Sequence, residues 1–290
     1  MKVLYSSDFH GETRLYWELL ELAMSISANI VILGGDLLPS FLPANRYEHM
    51  LLNQESFIDQ FLVPFSKTML EIAGVEKILV IAGNWDVAYP YLFSVPRESL
   101  IDLNQKKYQF ENGYEMIGYP FVPPTPFRPK DFEKMDDPDA PWPPQKNPSY
   151  IRSTDNFHEL IPISPYFYLK GRETIQEGLL RLPEPKDERR TIYVMHSPPF
   201  GTQLDLIQGG QHAGSRSIKS FIEERQPLMT LHGHIHESPE ISGAFLDTVG
   251  VTLSVNPGQS LLADSRSGKL HAVTFEMGKP GETISHACLT

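Results

Sequence analysis

Five short polar motifs carry the side chains able to do chemistry. They are Asp8-Phe9-His10-Gly11, Gly34-Gly35-Asp36, Gly83-Asn84-Trp85-Asp86, His196-Ser197-Pro198-Pro199 and Gly233-His234-Ile235-His236. Carboxylate, amide and imidazole groups supply oxygen and nitrogen donors, and none of the motifs contains a thiolate. That donor set suits Mn, Fe or Zn and disfavours a structural zinc clip built on cysteine. The motifs read together as a two-metal hydrolytic site.

The elements that must position these groups are legible from the apolar runs before them. Val3-Leu4-Tyr5, Ile30 to Leu33, Ile78 to Ile81, Ile192 to Met195 and Leu228 to Leu231 each stop at a motif. Short β-prone runs that end in Gly, Asp or Asn read as buried strands entering loops. Ligands in α/β sheets bind at the carboxyl ends of strands. Between these runs, Leu15, Leu19, Leu22 and Ile26 fall on one helical face. Apolar pairs between Tyr47 and Ile72 continue the helical stripe, with Pro64 expected as a kink or break. A further helix fits Ser217 to Glu224, and later strands fit Tyr114 to Gly118, Leu253 to Val255 and Leu270 to Phe275. Alternating strands and helices make an α/β fold.

The order of the motifs (D-x-H, G-D, G-N-x-D, H, G-H-x-H) resembles the calcineurin-like metallophosphoesterase family. The resemblance implies a four-layer αββα sandwich, with two mixed β-sheets face to face and helices outside. By the same resemblance, Asp8, His10, Asp36 and His236 hold one metal, Asp36, Asn84, His196 and His234 hold the other, and Asp36 bridges. A shared carboxylate offsets the repulsion of two cations about 3.5–4 Å apart. The implied chemistry is attack on a phosphoester by a hydroxide held between the metals.

One residue departs from the family pattern. A histidine follows the asparagine in the family's motif and is taken to protonate the leaving oxygen, whereas here the position is Trp85. Indole donates no proton at neutral pH. General acid help is worth about 10²–10⁴ in rate, so substrates with good leaving groups are expected, and a phosphodiester is favoured over a monoester. Asp86, which steadies that histidine in the family, is left to bind loop backbone. His212, in a glycine-rich loop shortly after His196, is a candidate for the missing donor; a surface or substrate-binding role is the other reading. Alternatives in function are a phosphomonoesterase or nucleotidase with an acid supplied by a lid, and a non-catalytic interaction scaffold on the same fold.

Composition narrows the setting. Motifs spread from Asp8 to His236 must meet in space, so the 290 residues are expected to form a single domain. A net charge of −11 opposes broad binding to nucleic acid polymers or anionic membranes, leaving a small phosphoester as the expected partner. No protein partner is inferable. The single cysteine, Cys288, excludes an intrachain disulfide framework. The first residues lack the apolar stretch of a signal peptide, and a cytoplasmic location is expected.

Prolines crowd the stretch from Tyr119 to about Tyr150, among Phe121, Phe127, Phe132 and Trp142. That density forbids regular helix or central strand, while the aromatics give the segment something to pack. It is expected as an ordered excursion, either covering core or acting as a lid over the metal site. In the lid case Arg128, Lys130 and Arg152 are candidate phosphate contacts. His232 is expected in a hydrogen-bonded structural role, His49, His158, His271 and His286 as structural or exposed, and Asn256-Pro257-Gly258 as a plain turn.

Overall fold

The computed structural model describes residues 1–40, 48–88, 91, 98–127, 129–140, 150–153, 160–260 and 268–289. Two six-stranded sheets dominate. The first runs β16 (Ser285–Cys288), β15 (His271–Glu276), β1 (Lys2–Ser6), β2 (Ile30–Gly34), β3 (Lys77–Ile81), β4 (Ile101–Asp102). Strands β1 to β4 are parallel, and β15 and β16 add antiparallel neighbours. The second runs β13 (Leu246–Val249), β14 (Thr252–Val255), β12 (Met229–Leu231), β9 (Thr191–Met195), β6 (Glu115–Tyr119), β5 (Lys107–Gln109). Its four central strands are parallel, and both edges are antiparallel. Among the described residues two small antiparallel pairs complete the strands: β7 (Tyr150–Ser153) with β8 (Leu160–Ile163), and β10 (Leu206–Ile207) with β11 (Gln211–His212).

The period of two in each strand builds the layers. Val3, Tyr5, Ile30, Ile32, Leu79 and Ile81 face Met116, Ile192, Val194, Met229 and Leu231 across the gap between the sheets. The alternate residues Leu4, Val31, Leu33, Ile78 and Val80 pack outward with helix α1 (Thr13–Ile26), through Leu15 and Leu19, and with helix α3 (Val63–Ile72). On the far side, Ile117, Tyr193 and Met195 pack against Ile218 and Ile222 of the helix Arg216–Arg225. Two mixed sheets flanked by helices are thus the α/β sandwich expected from the resemblance. Among the described residues, no helix is long and apolar enough to cross a membrane.

Two helical expectations shift. The stripe of α1 is centred on Leu15, Tyr16, Leu19, Leu20 and Ala23, with Leu22 and Ile26 only half-buried at its margin. Pro64 does not break the second helical stretch. Helix α2 (Glu48–Phe57) runs through one π-helical segment, Ile58–Leu62, into α3, where Pro64 sits within the first turn. The amide of Val63 bonds back to Ile58, five residues away, and this wider register leaves room for the ring.

The described part of the proline-rich segment is tied down between Val122 and Asp136. Val122 and Phe132 exchange a backbone bond of 3.1 Å, and Lys134 returns one to Val122 at 3.1 Å. Further on, the Asp136 carboxylate accepts from the amide of Arg216 at 2.7 Å and from the Ser215 hydroxyl. A carboxylate is favoured at a helix N-terminus, and the Ser215 cap adds a bond from the Ile218 amide.

Candidate metal centre

All five motif loops open from strand ends, as β1, β2, β3, β9 and β12 each terminate just before one. The structure brings Asp8, His10, Asp36 and His236 together in one set and Asp36, His196 and His234 in a second, with the ligand atoms of each set within 4.8 Å of one another. Asp36 is common to both sets. Within them, His236 Nε2 stands 3.3 Å from Asp8, His196 Nε2 3.4 Å from Asp36, and the Nε2 atoms of His10 and His236 face each other at 3.0 Å.

Four of these residues adopt left-handed backbone: Asp8 (φ 61°), His10 (φ 47°), Asp36 (φ 51°) and His234 (φ 68°). Such conformations cost about 1–2 kcal/mol each in side-chain-bearing residues, and clustering of that strain is a mark of functional sites. The motif glycines answer to crowding. A Cβ on Gly83 would lie 2.2 Å from Asp36 Oδ1 and 2.5 Å from His196 Nε2, and one on Gly233 would lie 2.5 Å from Asp8 Oδ2.

Partners outside the two sets orient the rings and carboxylates. His196 donates from Nδ1 to the Gly34 carbonyl at 2.8 Å, which turns its Nε2 lone pair inward. His10 Nδ1 meets the Ser40 hydroxyl at 2.8 Å, and Asp8 accepts from the His234 amide at 3.0 Å and the Ser7 hydroxyl at 2.5 Å. Asn84 is fully buried, yet neither its side-chain oxygen nor its nitrogen has a hydrogen-bond partner; Asp36 Oδ2 and His196 Nε2 make no hydrogen bond either and face each other as an ion pair at 3.4 Å. Leaving a buried polar group unsatisfied costs about 1–3 kcal/mol. Cations fit this arrangement, because the carboxylates and rings of the two sets gather around Asp36 and the buried Asn84 oxygen offers a further lone pair with no hydrogen-bond partner.

The charge states agree. Burial works to raise the Asp8 carboxyl, but the His236, His196 and His10 rings hold it well below the usual carboxylate range. Asp36 is likewise lowered against burial, by His196 and His10. Burial, and then His196, depresses His234 to about 3, and burial depresses His10 to about 4. His196 is raised to about 9 and His236 is raised, in both cases against burial, by facing carboxylates. Ionised carboxylates beside neutral His10 and His234 are the protonation states that ligation needs, and cation binding would displace protons from the other two rings.

The catalytic candidates divide. Asp86 binds only loop backbone in the described bonds, accepting from the amides of Leu38 at 2.9 Å, Gly83 at 2.9 Å and Leu37 at 3.3 Å. Burial and then Asp36 push its carboxyl up to about 7. The indole of Trp85 stands edge-on to His10, with ring centroids 6.3 Å apart, and faces Phe127 of the proline-rich segment at 5.1 Å. His212 is not brought into contact with the ligand sets. Its Nδ1 bonds Asp205 at 2.7 Å and its ring lies 5.6 Å from Phe200, both within its own loop.

Lys130 is no phosphate contact: its ammonium is fully buried and bonds both Glu133 oxygens, at 2.8 and 2.9 Å, and the Thr125 carbonyl at 2.8 Å. Arg128, Trp142 and His158 lie outside the described residues, as does much of the proline-rich segment beyond Ala140; Arg152 lies on β7. His232 has the expected structural role, donating from Nδ1 to the carbonyls of Met195 at 3.0 Å and Ser197 at 2.9 Å. His49 is exposed, and His271 and His286 are half-buried.

Several supporting residues escaped the sequence reading. Asn256 does more than turn the chain, because its amide donates to Leu204, Gly233 and Ile235 and so pins the loop that carries His234 and His236. Asp205 organises the loop after His196 by accepting from Gly201, Thr202 and Gly214. Ser40 had no signal beyond its nearness to Asp36.

A family model described as calcineurin-like phosphoesterase matches residues 1–238, and the chain belongs to that family. Solved structures similar to it include the TT1561 protein of Thermus thermophilus, at 14% identity over 100% of this chain and 99% of that one, with a TM-score of 0.55. A dimetal phosphatase from Danio rerio aligns at 10% identity over 94% of this chain and 91% of its own, with a TM-score of 0.51. A further solved structure reaches a TM-score of 0.61 at 17% identity, covering 100% and 99%. Identities this low speak for the fold alone. No curated protein matches the chain.

Proposed function

We propose that the chain is a dinuclear metal-dependent phosphoesterase that hydrolyses a small phosphoester, with phosphodiesters preferred. One observation carries the reading: two sets of largely buried oxygen and nitrogen donors share the Asp36 carboxylate, and the buried Asn84 side-chain oxygen has no hydrogen-bond partner. Asp8, His10, Asp36 and His236 would hold one ion, and Asp36, Asn84, His196 and His234 the other. When bound, such a pair supplies Lewis acidity toward phosphoryl oxygens and a water made acidic enough to attack near neutral pH.

The chain's own residues set the rest. Asp36 and Asp8 provide the negative charge that draws cations in. The Nδ1 bonds of His10 and His196 fix which ring nitrogen points at the centre. Asp86 braces the Gly83 loop against the Asp36 loop, keeping Asn84 beside the shared carboxylate. Trp85, standing where an acid would, donates no proton, which favours esters of acidic alcohols. Reconstitution with Mn, Fe or Zn followed by a screen of phosphate mono- and diesters tests this. Metal-dependent turnover of activated diesters is expected; a fully loaded protein that turns over neither class contradicts it.

A further inference from the structure

We propose that Trp85 and Phe127 form an aromatic subsite at the edge of the metal centre, which takes a planar aromatic group carried on the substrate's phosphate. The proposal rests on the phosphoesterase reading and names its substrate class. Trp85 is tied to the centre, since its amide bonds Asp36 and its indole stands edge-on to His10. Phe127 lies 5.1 Å from that indole with the two rings splayed by 39°, and 42% of its surface remains exposed. An apolar ring left this open beside a polar cluster has a face to offer a ligand.

The placement of Phe127 is built. Its amide donates to Thr125 Oγ1 at 3.1 Å, and Thr125 donates from its amide and hydroxyl to Glu133 at 3.0 and 2.6 Å. The buried Lys130 ammonium closes the network on Glu133 and on the Thr125 carbonyl. Buried ion pairs add little net stability, and in some proteins they enforce a particular geometry. Here that geometry is the turn that sets Phe127 beside Trp85. A pre-positioned ring loses little freedom on binding, which favours affinity.

Chemistry and geometry converge on the same group. A phenol leaves more readily without protonation than an aliphatic alcohol, and offset or edge-on contacts with two fixed rings favour a flat π-system over a saturated one of equal size. The residue that removes the general acid is therefore also a binding face for leaving groups that do not need one.

Titration calorimetry of the metal-loaded protein with benzylphosphonate and with cyclohexylmethylphosphonate tests this without turnover. The two differ in planarity and little in size, and neither has an ester bond to cleave. The benzyl compound is expected to bind about 3- to 10-fold more tightly, and Phe127→Leu to bring that ratio close to one with metal content unchanged. Equal affinities in the unsubstituted protein, tighter binding of the saturated compound, no binding of either, or a ratio untouched by Phe127→Leu would overturn the subsite. Ester hydrolysis without a benzyl preference would leave the proposed function standing. A benzyl preference in a chain that hydrolyses nothing would keep the subsite and sink the hydrolase.

Discussion

The backbone amide of Trp85 donates to Oδ1 of Asp36 at 2.7 Å. Because position 85 contributes only its backbone N–H, any residue there except proline can keep the bond to the shared carboxylate. Position 85 is thus free to change the chemistry of the site without dismantling it. Trp85→His should retain the metals while placing an imidazole beside Asp86. Rates on a series of aryl phosphodiesters should fall steeply in the unsubstituted protein as the phenol becomes less acidic. The variant should flatten that slope and raise the slowest members by up to about 10²-fold, toward the low end of general acid help. A flat series in the unsubstituted protein, with chemistry rate-limiting, would mean that another donor is at work.

His212 is the alternative donor weighed from the sequence, and the buried Asp205 carboxylate 2.7 Å from its Nδ1 would orient it for such a task. His212→Ala should slow esters of poor leaving groups far more than activated ones if the ring transfers a proton. Its contacts keep to its own loop, and the expected result is little change on either class, with metal content intact. A loss confined to poor leaving groups would assign it the acid's role.

The Lys130–Glu133 pair makes a prediction about stability. Burial pushes the Glu133 carboxyl up to about 7 even though Lys130 draws it down, so the glutamate depends on its partner. Lys130→Met should destabilise the fold by about 3–5 kcal/mol by leaving a buried carboxyl unpaired, whereas Lys130→Met with Glu133→Leu should recover most of the loss. Urea unfolding of the three proteins measures both. Equal losses in the single and double variants would show that the turn, and not the charge, was being held.

Much of this was legible beforehand because local patterns imposed it. The runs before Asp8, Asp36, Asn84, His196 and His234 are strands since each alternates between the gap and a helix layer, and the donors had to sit where those strands stop. The pairing order of the strands was not legible, as nothing local to β15 says that it lies beside β1. The same holds for contacts made across the chain. Asn256 bonding Gly233, Asp136 capping a helix some eighty residues on, and Lys130 turning inward to Glu133 leave no period or spacing to read. Of the kink or break expected at Pro64, the break does not occur, because one π-helical segment accommodates the proline and no residue type announces such a segment.

In the proposed centre Asp36 serves two ions at once. Elemental analysis after reconstitution with Mn, Fe or Zn measures this directly, on the unsubstituted chain and on Asp36→Ala and His236→Ala. Two ions per chain are expected, with Asp36→Ala losing both and His236→Ala mainly one, since His236 belongs to a single set. A folded, reconstituted chain that holds no metal, or an Asp36→Ala variant that keeps both ions, would contradict the account.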